Sequence, residues 1–359
     1  MSTESRPGFF QSEYPRLQVA TLAGCILAVM VIMLGAWTRL VDAGLGCPDW
    51  PGCYGFLSVP SGDEQIRIAE ERFPASPVDA SKGWPEMIHR YAAGLLGLWI
   101  FGIALAAWLH RERGAPARLP ALIAGFVVLQ AAFGAWTVTL SLWPQVVAAH
   151  LLGGFTTLSL LFLLLLRLGG QYAPGTRLPP ENRARLLRLR PWLYAGLALV
   201  IGQIALGAWT AANYAAVACP DLPTCQGQWW PSMNLAEGFN LFQSTGPNYL
   251  GGRLGNEARV AIHHSHRLGA IMVMVVLGAL FLAALRWTRG YRLARAAWLG
   301  LGILFIQLAL GVANVLLHIP VAIAVAHNAF GAFLLLAVIN LIFRVQQLAP
   351  RKQPAGSNS

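Results

Sequence analysis

Charge is what this 359-residue chain has least of. Asp, Glu, Lys and Arg together make up 11% of it, where a soluble domain carries roughly twice that share. Acidic residues are the scarcer kind, 15 against 26 basic ones. So few charges exclude an ordinary water-soluble globule. Cysteine is also scarce, five in all, which excludes a small disulfide-dense secreted scaffold. A cleavable signal peptide is missing too: residues 1–16 are polar, and the apolar block after them is long enough to remain a helix. Apolar residues are abundant, at 56%. They gather in eight blocks, about 17–38, 88–109, 119–139, 146–166, 191–212, 262–285, 296–316 and 321–343. Each has about the 20 residues a helix needs to cross a bilayer. Backbone groups in lipid must be satisfied within the segment, so the blocks read as helices.

The net charge of +11 would suggest a nucleic acid partner if it were spread evenly, but it is not. Basic residues cluster in every second loop: Arg111, Arg113 and Arg118; Arg167, Arg177, Arg183, Arg185, Arg188 and Arg190; Arg286, Arg289, Arg292 and Arg295. The tail adds Arg344, Arg351 and Lys352. The loops between them are long and acidic (39–87), short and uncharged (140–145) or moderately acidic (213–261). Basic loops stay on the cytoplasmic side, so both termini read as cytoplasmic. The partner is the lipid bilayer and not nucleic acid.

A tandem repeat covers nearly the whole chain. Gly35-Ala-Trp-Thr38 closes the first block and Gly207-Ala-Trp-Thr210 the fifth. Gln130-Ala-Ala-Phe-Gly-Ala-Trp-Thr137 closes the third and Gln307-Leu-Ala-Leu-Gly-Val-Ala-Asn314 the seventh. Small residues of this kind let helices approach closely in lipid. The expected fold is an all-α polytopic membrane protein with eight transmembrane helices in two pseudo-symmetric four-helix bundles. Its parts are an N-terminal tail 1–16, a first bundle 17–166 with the outer loop 39–87, a linker 167–190, a second bundle 191–343 with the outer loop 213–261, and a tail 344–359.

Each long outer loop carries two cysteines, Cys47-Pro-Asp-Trp-Pro-Gly-Cys53 and Cys219-Pro-Asp-Leu-Pro-Thr-Cys225. On the oxidising side of a membrane a disulfide within each pair is favoured over redox thiols or a metal site. Cys25 reads as a small core residue.

The repeat also carries histidines. His89 and His266 stand 177 positions apart, as do His150 and His327. The first of each pair precedes an arginine, Arg90 or Arg267, and the second follows an alanine. A lone histidine in an apolar helix is more often a hydrogen-bonded packing residue than a ligand. Four at one offset and one expected depth read as two pairs of axial ligands, each able to clamp a metalloporphyrin across a bundle. Arg90 and Arg267 are candidates for heme propionates, or snorkelling interfacial arginines.

The halves differ at position 86. Glu86 lies three residues before His89, on the same helical face; its counterpart is His263. A partly buried carboxylate can move a proton or stabilise a developing cation. The bland alternative is an acidic first-turn residue favoured by the helix dipole. His110 reads as solvated, His318 as a loop residue, and His263 and His264 as neighbours of a ligand. Trp50, Trp84, Trp143, Trp229 and Trp230 read as interfacial anchors. Asp63–Phe73, apolar at Ile66, Ala69 and Phe73, reads as a surface helix.

Glu86-Met-Ile-His89-Arg90, His150, His266-Arg267, His327 and the two cysteine pairs together resemble the heme A synthase family, over about residues 17–343. The resemblance implies an oxidoreductase of the bacterial inner membrane that converts the C8 methyl of heme O to a formyl group by successive hydroxylations. The product is heme A for cytochrome oxidases. It implies heme b as cofactor on His266 and His327, heme O as substrate on His89 and His150, and Glu86 as the residue needed for turnover. Implied partners are the farnesyltransferase that makes heme O and a membrane electron donor, quinol or another. Oxygen comes from water or dioxygen, and a homo-oligomer stays open. Two other readings use the same ligands: a di-heme b-type protein that oxidises quinol, and a non-enzymatic heme carrier.

Overall fold

A computed structural model describes residues 13–169 and 178–349, the side chain of Arg292 aside. The ends of both expected tails lie outside the described residues, as do Arg177, Arg351 and Lys352. Among the described residues eight helices are long and apolar enough to cross a membrane: α1 (Pro15–Leu40), α3 (Ala80–Leu109), α4 (Arg118–Thr139), α5 (Pro144–Leu168), α7 (Arg190–Ala212), α9 (Asn256–Thr288), α10 (Arg292–Leu316) and α11 (Val321–Gln346). Among the described residues the β structure is limited to two isolated bridges, Cys53 with Phe56 and Cys225 with Gln228. The expected surface helix forms as α2 (Asp63–Arg72). Short helices α6 (Pro180–Arg188) and α8 (Leu235–Gly238) complete the set.

Proline at the first turn starts α1, α5, α6 and α7, where its missing N–H costs nothing. Asp79 caps α3 by accepting from Ser81 N, satisfying a donor that would otherwise be orphaned. α3 and α9 begin at Ala80 and Asn256, well before the apolar blocks expected at 88 and 262. Their first turns are polar and escape a hydropathy reading, yet they belong to the same helices, Pro85 lying inside α3 without an N–H to donate.

Within the first half, α1 packs on α3 and α5, and α4 packs on α3 and α5. Within the second, α9 packs on α7 and α10, and α11 packs on α10 and α7. Each set closes a ring of four. The rings meet through α1 with α11, α5 with α7, and α5 with α11. Arg39 adds a polar tie between them, donating to Ala211 O at 2.9 Å with its guanidinium 3.8 Å from the centre of the Tyr214 ring.

The two ends of the rings are packed differently. Toward the linker a continuous core runs through both rings, with Ile100, Leu158, Leu161, Leu164, Leu277 and Leu341 almost fully buried. The linker itself is fastened there, Leu186 of α6 being buried and Arg183 Nε donating to Leu348 O at 2.7 Å. Toward the loops the rings are hollow.

Candidate functional site

The hollow end encloses a cavity of about 1620 Å³ whose wall includes His89, His150, His266 and His327. The four reach it from α3, α5, α9 and α11. His89 and His266 stand about three turns into their helices and His150 and His327 about two, for His89, His150 and His266 deeper than their positions in the apolar blocks indicate.

A glycine on the preceding membrane helix backs each histidine. A Cβ at Gly35 of α1 would stand 2.9 Å from His89 Nε2. At Gly134, Gly207 and Gly311 it would stand 3.1, 3.0 and 3.1 Å from Cε1 of His150, His266 and His327. Any other residue would push the ring toward the cavity centre, so these glycines set the width of the site.

That width fits a metalloporphyrin held from both faces. The rings of His89 and His150 have centroids 6.4 Å apart with planes 85° apart. Metal–imidazole bonds of about 2 Å put the ring centres of two axial imidazoles on one metal roughly 6 Å apart. Among the described residues no cluster of three or more His, Cys, Asp or Glu is placed to hold a bare metal ion.

Glu86 lies on the cavity wall, 4% exposed. Its Oε1 is paired with Arg90 and its Oε2 accepts Cys47 N–H at 3.0 Å. It sits two turns inside α3, beyond the first turn over which the helix dipole acts. That removes the bland account of it. In the second half His263 takes this place, buried, with Nδ1 unpartnered among the described residues. His264 beside it has neither ring nitrogen partnered among the described residues and meets the Trp230 ring at 5.5 Å between centroids.

Cys47–Cys53 and Cys219–Cys225 form disulfides, and Cys25 is free and buried. The loops they close are alike. Asp49 accepts from Tyr54 N and Gly55 N at 2.6 and 2.7 Å; Asp221 accepts from Gln226 N and Gly227 N at 2.6 and 3.0 Å. Both loops lean on the arginine after the first histidine. Arg90 donates to Asp49 O at 2.9 Å, to Pro51 O at 3.3 Å and to Gly52 O; Arg267 donates to Thr224 O and Cys219 O at 2.8 and 2.6 Å. Holding these carbonyls is a role the sequence did not suggest for the arginines. Both also border the cavity, and Arg267 Nε is buried without a partner among the described residues.

Three glutamines went unassigned in the sequence. Gln130 Nε2 lies 3.0 Å from His150 Nδ1, Gln203 Nε2 3.1 Å from His266 Nδ1, and Gln307 Nε2 3.4 Å from His327 Nε2. Their signal was the spacing Gln-x-x-x-Gly ahead of three of the four backing glycines. His110 bonds Ala106 O at an exposed helix end, and His318 sits in a tight turn with φ 58°; neither borders the cavity.

Residues 18–339 match the family of cytochrome oxidase assembly proteins designated COX15-CtaA. The chain is 42% identical over 318 residues to the heme A synthase of Shewanella oneidensis, covering 88% of this chain and 92% of that one. It is 28% identical to heme A synthases of a Caulobacter strain and of Symbiobacterium thermophilum. Those matches cover 90% and 82% of this chain and 94% and 84% of theirs.

Proposed function

We propose that this chain, which belongs to the heme A synthase family, oxidises the C8 methyl of heme O to the formyl group of heme A. It does so as a multi-pass membrane enzyme. The observation that carries the reading is an asymmetry. Of two matched histidine pairs on one cavity, only His89 and His150 have a carboxylate, Glu86, fixed beside them on the wall. The first ring is therefore the substrate half, with His89 and His150 on the iron of heme O. The second ring is the cofactor half.

His266 and His327 would hold heme b, which supplies one-electron redox capacity fed by a quinol or another membrane donor. Gly207 and Gly311 leave their rings the same clearance as in the first half, which supports that placement. Arg267 keeps one buried donor, Nε, for a propionate. Arg90 is shared between Glu86 and the loop. Oxidising a methyl C–H bond releases a proton or develops positive charge at carbon. Glu86 answers either, as acceptor or as fixed counter-charge. Arg90 and Cys47 N–H hold its carboxylate in place for that task.

The arginine-rich linker side faces the cytoplasm, and the disulfide loops face the oxidising side of the inner membrane. Heme O reaches the first ring from the farnesyltransferase that makes it.

Extracting the hemes of the purified protein and identifying them by mass tests the reading. Heme b together with heme O, hydroxylated heme O or heme A is expected. Heme b alone at two per chain would make it a di-heme electron-transfer protein, and loosely exchangeable heme with no formyl product would make it a carrier. In His266→Ala the heme b content should collapse; unchanged content contradicts the cofactor half.

A further inference from the structure

The four helices that back the histidines share one register: Val31-Ile-Met-Leu-Gly35, Gln130-Ala-Ala-Phe-Gly134, Gln203-Ile-Ala-Leu-Gly207 and Gln307-Leu-Ala-Leu-Gly311. The residue one turn before the glycine shares its face. In three helices that residue is glutamine and its amide meets the histidine ring. Gln130 and Gln203 also donate to the backbone carbonyl of the same histidine, at 2.6 and 2.9 Å. The contact is fitted from both sides. A Cβ at Gly153 or Gly269, three residues after His150 and His266, would overlap the Gln130 or Gln203 amide oxygen, at 1.9 and 2.1 Å.

The His327 register keeps the glutamine but has Phe330 three residues after the histidine, and the His89 register lacks both features. Val31 stands where glutamine would be, and Ala92, three residues after His89, stands where the glycine would be. His89 makes no hydrogen bond among the described residues. Its ring is turned, so that Nε2 and not Cε1 faces the backing glycine.

A metal-bound imidazole is oriented by what its second nitrogen meets. In the orientation described, the Gln130 and Gln203 amides donate to Nδ1. Turned end for end they accept from Nδ1–H, the tautomer that frees Nε2 for a metal, and give up the donation to the histidine carbonyl. We propose that Gln130 and Gln203 are positioning residues that fix the rings of His150 and His266 through Nδ1, while Gln307 steadies the His327 ring from its other nitrogen, Nε2, at 3.4 Å. His89 is then the ligand that lets go, so the first site admits and discharges heme on its His89 side. The proposal rests on reading the four histidines as heme ligands. Release breaks one dative bond, its electron pair staying on the imidazole nitrogen. The distribution suits the two halves: both ligands of a cofactor site that must keep its heme meet a glutamine amide, whereas in a turnover site that must release product only His150 does.

The test is heme transfer from the full-length, heme-loaded protein to excess apomyoglobin, followed separately for each site. Installing the missing brace, Val31→Gln with Ala92→Gly, should slow loss from the first site by about tenfold or more and leave the second site unchanged. Gln203→Leu should speed loss from the second site by a similar factor. Gln203→Glu should retain that heme with a lowered midpoint potential, because a carboxylate makes the imidazole a stronger donor; a merely structural glutamine would leave the potential where it was. An unchanged potential in Gln203→Glu overturns the proposal, as does an unchanged first-site rate in the double variant. His150→Ala separates the two layers. If first-site heme is lost there while the double variant has no effect, the brace alone fails. If first-site heme is unchanged there, the ligand reading fails with it.

Discussion

The two rings are built alike down to the glycine behind each histidine, yet each wraps its outer end around a different charge. In the first ring, Arg90 ties three carbonyls of the disulfide loop to the carboxylate of Glu86. In the second, Arg267 ties the matching loop to a stretch with no carboxylate, where His263 and His264 stand. The matched scaffold thus keeps its clamp and replaces the carboxylate inside it. That makes position 86 the place to look for chemistry and position 263 the control.

The largest test of that contrast is Glu86→Gln. The amide keeps an acceptor for Cys47 N–H and nearly the same volume, but loses the charge. Heme A formation should fall about a hundredfold or more, with second-ring heme retained. The matched change, His263→Gln, should leave heme A formation within a few-fold of the parent. Product mass spectrometry reads both, and similar losses in the two variants would erase the distinction between the rings.

Much of this contrast was legible in the sequence, for identifiable reasons. Lipid tolerates only backbone satisfied within its own segment, so eight apolar blocks foretell eight helices. The offset of 177 pairs His89 with His266 and His150 with His327 without any coordinates. The cysteine spacing foretells both disulfides. The starts of α3 and α9 were misread because their polar first turns, such as Asn256-Glu-Ala-Arg259, carry no apolar signal. The hold of Arg90 and Arg267 on the disulfide loops was hidden because those partners are backbone carbonyls, which no side-chain pattern encodes. The glutamines were hidden for a related reason: Gln130 meets a ring 20 residues away and Gln203 one 63 residues away. No single periodicity shows both.

Opening the loops is the next test, with a smaller effect. Cys47→Ser with Cys53→Ser, and Cys219→Ser with Cys225→Ser, each release a short loop that the disulfide constrains, costing about 2 kcal/mol by the chain-entropy account. The stability losses should match. The activity losses should not, because only Cys47 supplies an N–H to the proposed catalytic carboxylate. Thermal melting beside product analysis checks this. If the second pair proves as damaging to heme A formation as the first, the Cys47–Glu86 contact is not the route by which the loop matters.

The smallest effect lies in the loops themselves. Asp221 accepts the Thr224 hydroxyl in addition to the backbone N–H of Gly227 and Gln226. These bonds, the hydroxyl foremost, pull its carboxyl down to about 2. A depressed carboxylate steadies the loop above its unfolded value of about 4 and loses that contribution as pH falls through the folded one. Amide exchange at Gln226 and Gly227 should therefore stay protected down to about pH 4 and open between there and about 2. In the first loop Gly52 stands where Thr224 stands in the second, so Asp49 has no such hydroxyl. Thr224→Gly should move the second loop's opening to higher pH, and the Asp221 titration followed by NMR should rise with it. If the titration does not move, the hydroxyl is not what distinguishes the two loops.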